Sequence, residues 1–184
     1  MKDTPVYKEM MRRNEEFMKS GEYRDYETSK FPALKTAVVA CMDTRLLTLL
    51  PAALGLRNGD VKMIKNAGGL VTDPYGDSMR SLLVAIYELG VEHVMIVAHT
   101  NCGVEGMDGR HFIEVMKGRG IPAETIEALK AEGHDLEAWL SGFSDTHDAV
   151  RRSVELVRSH PLLPNGITVD GFVIDTLTGS LRPV

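Results

Sequence analysis

Residues 35–41 (KTAVVAC), 61–64 (VKMI) and 91–98 (VEHVMIVA) are short apolar runs separated by stretches of helical periodicity. This alternation restricts the fold more than any other feature of the chain. The Val- and Ala-rich first run lacks a polar face, as expected of a strand buried on both sides. A helix over about 46–54, ending at Gly55 and irregular around Pro51, links the first two runs. A second helix is expected to open with Asp73 as N-cap and Pro74 in its first turn. It places Leu82, Ala85, Ile86 and Leu89 on one stripe and ends at Gly90. Strand–helix–strand–helix–strand predicts a mainly parallel sheet with helices on both faces, the α/β class.

After the third strand the pattern predicts helices near 108–118, 123–132 and 134–141, then a longer one from 146 to 159 stopped by Pro161 and Pro164. Residues 103–120 are the expected loop-rich insertion. Residues 167–174 read as the last long strand, and the turn signal Thr178-Gly179 leaves LRPV as a short antiparallel edge strand. Residues 5–20 carry a helical pattern ending near Gly21, and residues 1–30 are expected to form an N-terminal helical arm on a single domain spanning 1–184. The ten methionines are scattered and read as core filler. A net charge of −5 without a Lys/Arg block argues against nucleic acid and anionic membrane as partners. No apolar run approaches the ~18 residues of a membrane span. The opening MKDTPVYKEMMRRNEEF lacks the apolar stretch of a secretion signal, so the expected location is the cytoplasm.

The only cysteines are Cys41 and Cys102. Alone they would read as reduced, buried thiols, but their context is richer. Cys41-Met42-Asp43-Thr44-Arg45 closes the first strand, and His99-Thr100-Asn101-Cys102-Gly103 closes the third. In a doubly wound sheet, ligands bind beyond the carboxyl ends of the strands where the winding reverses, and strands one and three can flank that point. Two thiolates and one imidazole form a Cys₂His set, a catalytic zinc pattern that leaves a fourth position open. Asp43 lies on the Cys41 side if the extended geometry persists. It could orient a hydroxide, held ionised by a charge-assisted pair with Arg45. It could also swing onto the metal and close the site. A phosphatase loop would need a longer Cys-to-Arg spacing. A Cys–His nucleophile pair would leave the second cysteine and the Asp–Arg pair without roles.

These residues resemble the β-class carbonic anhydrases. Cys41-x-Asp43-x-Arg45, His99-x-x-Cys102-Gly103, Asn66-Ala67-Gly68-Gly69, Arg80-Ser81-Leu82 and the C-terminal GFVIDTLTG carry the resemblance over most of residues 35–180, closest to the short prokaryotic members. It implies strand order 2-1-3-4 and a dimer or larger homo-oligomer in which the N-terminal arm crosses to a partner. It implies one zinc ion per chain on Cys41, His99 and Cys102, and an Asp43–Arg45 dyad orienting the hydroxide that converts CO₂ to bicarbonate. Gly68, Gly69 and Gly103 are candidates for close backbone approach to the substrate. Hydrolysis of carbonyl sulfide or carbon disulfide on the same scaffold, or a silent zinc or bicarbonate-binding role, are the alternatives. His93 falls about 20 Å from the metal end of its strand and reads as structural. His111, His134, His147 and His160 read as surface histidines.

Overall fold

The computed structural model describes residues 4–184; the first three residues of the expected arm lie outside the described residues. Five strands form one sheet: β1 (Thr36–Cys41), β2 (Val61–Asn66), β3 (His93–His99), β4 (Thr168–Ile174) and β5 (Leu181–Pro183). Their order is β2-β1-β3-β4-β5, with the first four parallel and β5 antiparallel at the edge. The predicted class, order and edge strand are all present.

Successive side chains of β1 divide between two cores, as the pleat requires. Ala37 and Val39 pack with Leu82, Ala85 and Ile86 of α3 (Asp77–Leu89) and with Val150, Val154 and Val157 of α7 (Thr146–Arg158). Val38 and Ala40 face the other way, onto Leu46 and Leu50 of α2 (Leu46–Ala53). This explains why the first run has no polar face: both of its sides are covered. Gly171 lets α7 lie close on β4, because a Cβ there would stand 2.4 Å from Val150 Cγ1. Between β3 and α7 the chain makes an excursion of three helices, α4 (Gly109–Gly118), α5 (Ala123–Ala131) and α6 (Leu136–Leu140), around a small core of Ile113, Ile126 and Leu136. The N-terminal α1 (Pro5–Ser20) buries none of its residues, consistent with an arm. Among the described residues no helix is long and apolar enough to cross a membrane.

Three expectations need correction. Asp73 does not cap α3: its carboxylate accepts from the amide of Tyr75, two residues on, and so closes a separate turn. Gly76 occupies the cap position and α3 begins at Asp77. The methionines are not core filler in general, since Met10, Met11, Met18 and Met42 are exposed and only Met79 is a fully buried methionine of the core. The loop-rich insertion shrinks to the turns before α4, whose helix occupies most of 103–120.

Candidate metal centre

The centre is built where β1 and β3, adjacent and parallel, end together. Cys41 is the last residue of β1 and His99 the last of β3. The chain then turns through Thr100 and Asn101, the latter with φ of +54°, and this left-handed residue brings Cys102 back toward the strand ends. The donor atoms of Cys41, His99 and Cys102 lie within 4.8 Å of one another, and all three residues are buried. The fold thus brings together the three residues that the sequence reading names as candidate ligands, in a group that could hold a metal ion.

Hydrogen bonding sets the tautomer of His99. Its Nδ1 lies 2.9 Å from the carbonyl oxygen of Thr100, an acceptor only, so Nδ1 carries the proton. The lone pair therefore sits on Nε2, which is buried and has no hydrogen-bond partner among the described residues. An orphaned imidazole nitrogen in a residue with 0 % exposure costs free energy unless something binds it. A backbone carbonyl holding the far nitrogen is also the usual arrangement behind a metal-ligating histidine. The Cys102 thiol agrees with this. Burial raises the Cys102 thiol above the ordinary range, the amide of Val104 opposes that rise, and the neighbouring Cys41 adds to it. A thiol raised in this way favours its protonated form without a cation, whereas a divalent ion inverts the balance and takes up thiolate. The residues present therefore fit a transition metal of zinc type.

Asp43 and Arg45 form one rigid unit at the mouth. The Arg45 backbone amide and Nε both donate to Asp43 Oδ1 at 2.9 Å, and Arg45 Nη2 donates to Oδ2 at 2.8 Å. These bonds, the side-chain ones first, hold the Asp43 carboxyl far below the usual carboxylate range. Arg45 Nη2 also donates to the carbonyl of Asn101 at 2.8 Å, tying the end of β1 to the turn after β3. Asp43 Oδ2 is 3.9 Å from His99 Nε2, so an ionised acceptor stands next to the orphaned lone pair.

Gly68 and Gly69 follow β2 and have φ of +90° and +70°. At Gly69 a Cβ would lie 2.5 Å from the Cys41 amide nitrogen and 3.0 Å from the Val97 carbonyl oxygen, so this loop packs directly on the strands that carry the ligands. Gly68 faces Phe143 and Val104, and Gly103 faces open space. Sequence reasoning singled out the Asn66–Gly69 loop but not the hydrogen bonds by which its first residue shapes it. The Asn66 side chain accepts from the Leu70 amide at 3.2 Å and donates to the Leu70 carbonyl at 2.6 Å and to Ser78 Oγ at 2.8 Å. Its main-chain carbonyl accepts from the Met42 amide at 2.8 Å. Lys65 was missed: its Nζ donates to the Cys41 carbonyl at 3.1 Å, and desolvation lowers its pKa. Only the parallel register, which sets Lys65 beside Ala40, could have found it.

The remaining histidines stay away from the site. His93 is exposed and its Nδ1 pairs with Thr168 Oγ1 at 2.7 Å, while His111, His134 and His147 are exposed. His160 corrects the surface reading: it is 5 % exposed, with Nε2 3.0 Å from the Pro74 carbonyl and Nδ1 accepting from the Leu162 amide at 3.2 Å. The Leu163 amide also donates to the His160 carbonyl at 2.9 Å, so the turn after α7 closes on this residue.

A family model described as carbonic anhydrase matches residues 36–181. YtiB of Bacillus subtilis is 48 % identical over 91 % of this chain and 90 % of that protein. A carbon disulfide hydrolase of Acidithiobacillus thiooxidans is 33 % identical over 79 % of this chain and 75 % of that protein. Among solved structures, the β-carbonic anhydrase isoform I of Trichomonas vaginalis superposes with a TM-score of 0.86 at 33 % identity, covering 98 % of this chain and 97 % of its own. With the fold and strand order, these matches show that the chain belongs to the β-class carbonic anhydrase family.

Proposed function

We propose that the chain catalyses the reversible hydration of CO₂ to bicarbonate with zinc held by Cys41, His99 and Cys102. The observation that carries this reading is the orphaned, lone-pair-bearing Nε2 of buried His99, facing two thiols and standing 3.9 Å from a carboxylate kept ionised. Zinc bound there supplies an acidified water, the nucleophile that CO₂ hydration needs at neutral pH. The chain's own residues do the rest. Asp43 is held ionised and so can only accept hydrogen bonds, which favours a nucleophile whose O–H points at Oδ2 and whose lone pair points away, toward CO₂. Arg45 keeps that acceptor in place by a two-pronged pair and by its brace to Asn101. Bicarbonate and a proton then leave. Stopped-flow CO₂ hydration by zinc-verified protein tests the reading: turnover rising from about pH 6.5 to 9, across the usual range for acidified water on zinc, supports it, and full zinc content without turnover rejects it.

A second reading, hydrolysis of carbon disulfide or carbonyl sulfide, draws support from the carbon disulfide hydrolase relative. It requires H₂S release that outpaces CO₂ hydration. We infer a homodimer or larger assembly in either case. The support is α1, which buries no residue on its own body yet exposes Val6, Met10, Met11 and Met18. Sedimentation at a single-chain mass would reject it.

A further inference from the structure

The α4–α6 excursion does more than enclose its own small core. Between it, α7 and the loop after β2 lies a cavity of about 470 Å³. That volume falls within the range of small-molecule sites, roughly 300–1,000 Å³. Leu70, Val71, Phe143 and Leu156 make its walls apolar, and Trp139 stands at its edge, 76 % exposed. The metal ligands do not line it, yet Phe143 and Val104 do, and on their other side both pack against the cluster that contains Cys41 and Cys102. The cavity and the metal centre thus share a wall and little else.

Its electrostatics are one-sided. Arg152 is the charged lining residue, and no Asp or Glu faces the space. The guanidinium of Arg152 has no carboxylate within ion-pair distance among the described residues, whereas the adjacent Arg151 is held by Asp148 at 2.6 Å. A largely apolar pocket, open on one side, with the exposed and unneutralised Arg152 at its rim matches a ligand with an apolar body and a single negative end. A neutral apolar molecule would leave the cation unused, and a small hydrophilic anion would leave the apolar walls wet.

We propose that this cavity binds an amphipathic carboxylate, its hydrocarbon part against Trp139 and Phe143 and its acid group at Arg152. This site is separate from the zinc reading and stands or falls independently of it.

Trp139 is the chain's single tryptophan, so intrinsic fluorescence reports on this wall directly. Octanoate is the probe, titrated into zinc-loaded, full-length protein, with acetate and octanol as controls. Octanoate is expected to change Trp139 emission saturably, while acetate leaves it unchanged. Arg152→Met is expected to weaken octanoate about tenfold, the usual worth of one charge-assisted bond, without changing octanol binding. Arg152→Lys should restore most of the difference, and CO₂ hydration should be the same in all three proteins. The proposal is overturned by an absent or non-saturable response, by an equal response to acetate, or by unaltered octanoate affinity in Arg152→Met. A second copy of the chain already filling the cavity would give an absent response.

Discussion

The two ends of β3 carry the same residue type in opposite circumstances. His93, at the amino end, is exposed, and its ring nitrogen pairs with the Thr168 hydroxyl on the neighbouring strand. His99, at the carboxyl end, is completely buried, with one nitrogen on a backbone carbonyl and the other on nothing. At the amino end polar groups find partners across the surface, as Lys35 and Glu92 do. At the carboxyl end the polar groups are arranged around a point where an atom is still needed. The same side chain is therefore ordinary where water can reach it and diagnostic where water cannot, because an unpaired polar atom carries its full desolvation cost only when buried.

Removing a ligand at the carboxyl end should have the largest effect. Cys102→Ala is expected to lower zinc content below about a tenth of one equivalent, measured by metal analysis, and to take turnover with it. Near-full zinc in this variant would break the contrast at its strongest point. Asp43→Asn should keep the metal but lose about 10²–10³ in turnover, since it removes a preorganised acceptor and not a ligand. Gly69→Ala tests the packing beneath the centre. A Cβ 2.5 Å from the Cys41 amide in a left-handed backbone should cost about 2–4 kcal/mol in chemical denaturation, with some loss of metal affinity. An unaltered midpoint would mean that the loop does not support the ligand strand.

A smaller effect is expected at Asp175, in the turn after β4. Its carboxylate accepts from Thr178 and Leu177, which lowers its pKa from 3.8. A lowered carboxyl contributes stability that is present above the unfolded value and is lost as pH falls through the folded one. The turn also positions Thr176, whose amide donates to Thr100 Oγ1 beside His99. Amide shifts of Thr178 should therefore stay constant above about pH 4 and move only below it; movement between pH 5 and 7 would contradict this. The smallest effect belongs to the amino end. His93→Ala should alter stability by no more than about 0.5 kcal/mol and leave zinc content unchanged, and a drop in zinc would erase the distinction between the two ends.

The alternation of apolar runs and helical stretches was legible because a strand covered on both faces can carry no polar face, and the strands of this sheet fall where that rule puts them. The candidate ligand set was legible as well, because its members lie at strand ends in short, chemically specific motifs. Asp73 was misread because an Asx-turn and a helix cap use the same residue, and the choice rests on where the next amides point. His160 was misread because the turn after α7 folds it under Pro74, a contact 86 residues distant in the chain.

By itself, the sequence determined the class of the sheet, the family, and which residues can bind a metal, since these depend on side-chain chemistry and periodicity along one segment. Tertiary structure decided the rest. It set the tautomer of His99 through the Thr100 carbonyl, the brace from Arg45 to Asn101, the clamp of Asn66 on Leu70, the Lys65 contact with Cys41, and the cavity behind Phe143. The Arg45 brace and the Lys65 contact join a side chain to backbone on a separate segment, and the cavity forms only where several elements meet. A pattern along the chain records which groups are available, whereas hydrogen-bond direction and burial exist only once those segments are brought together in space.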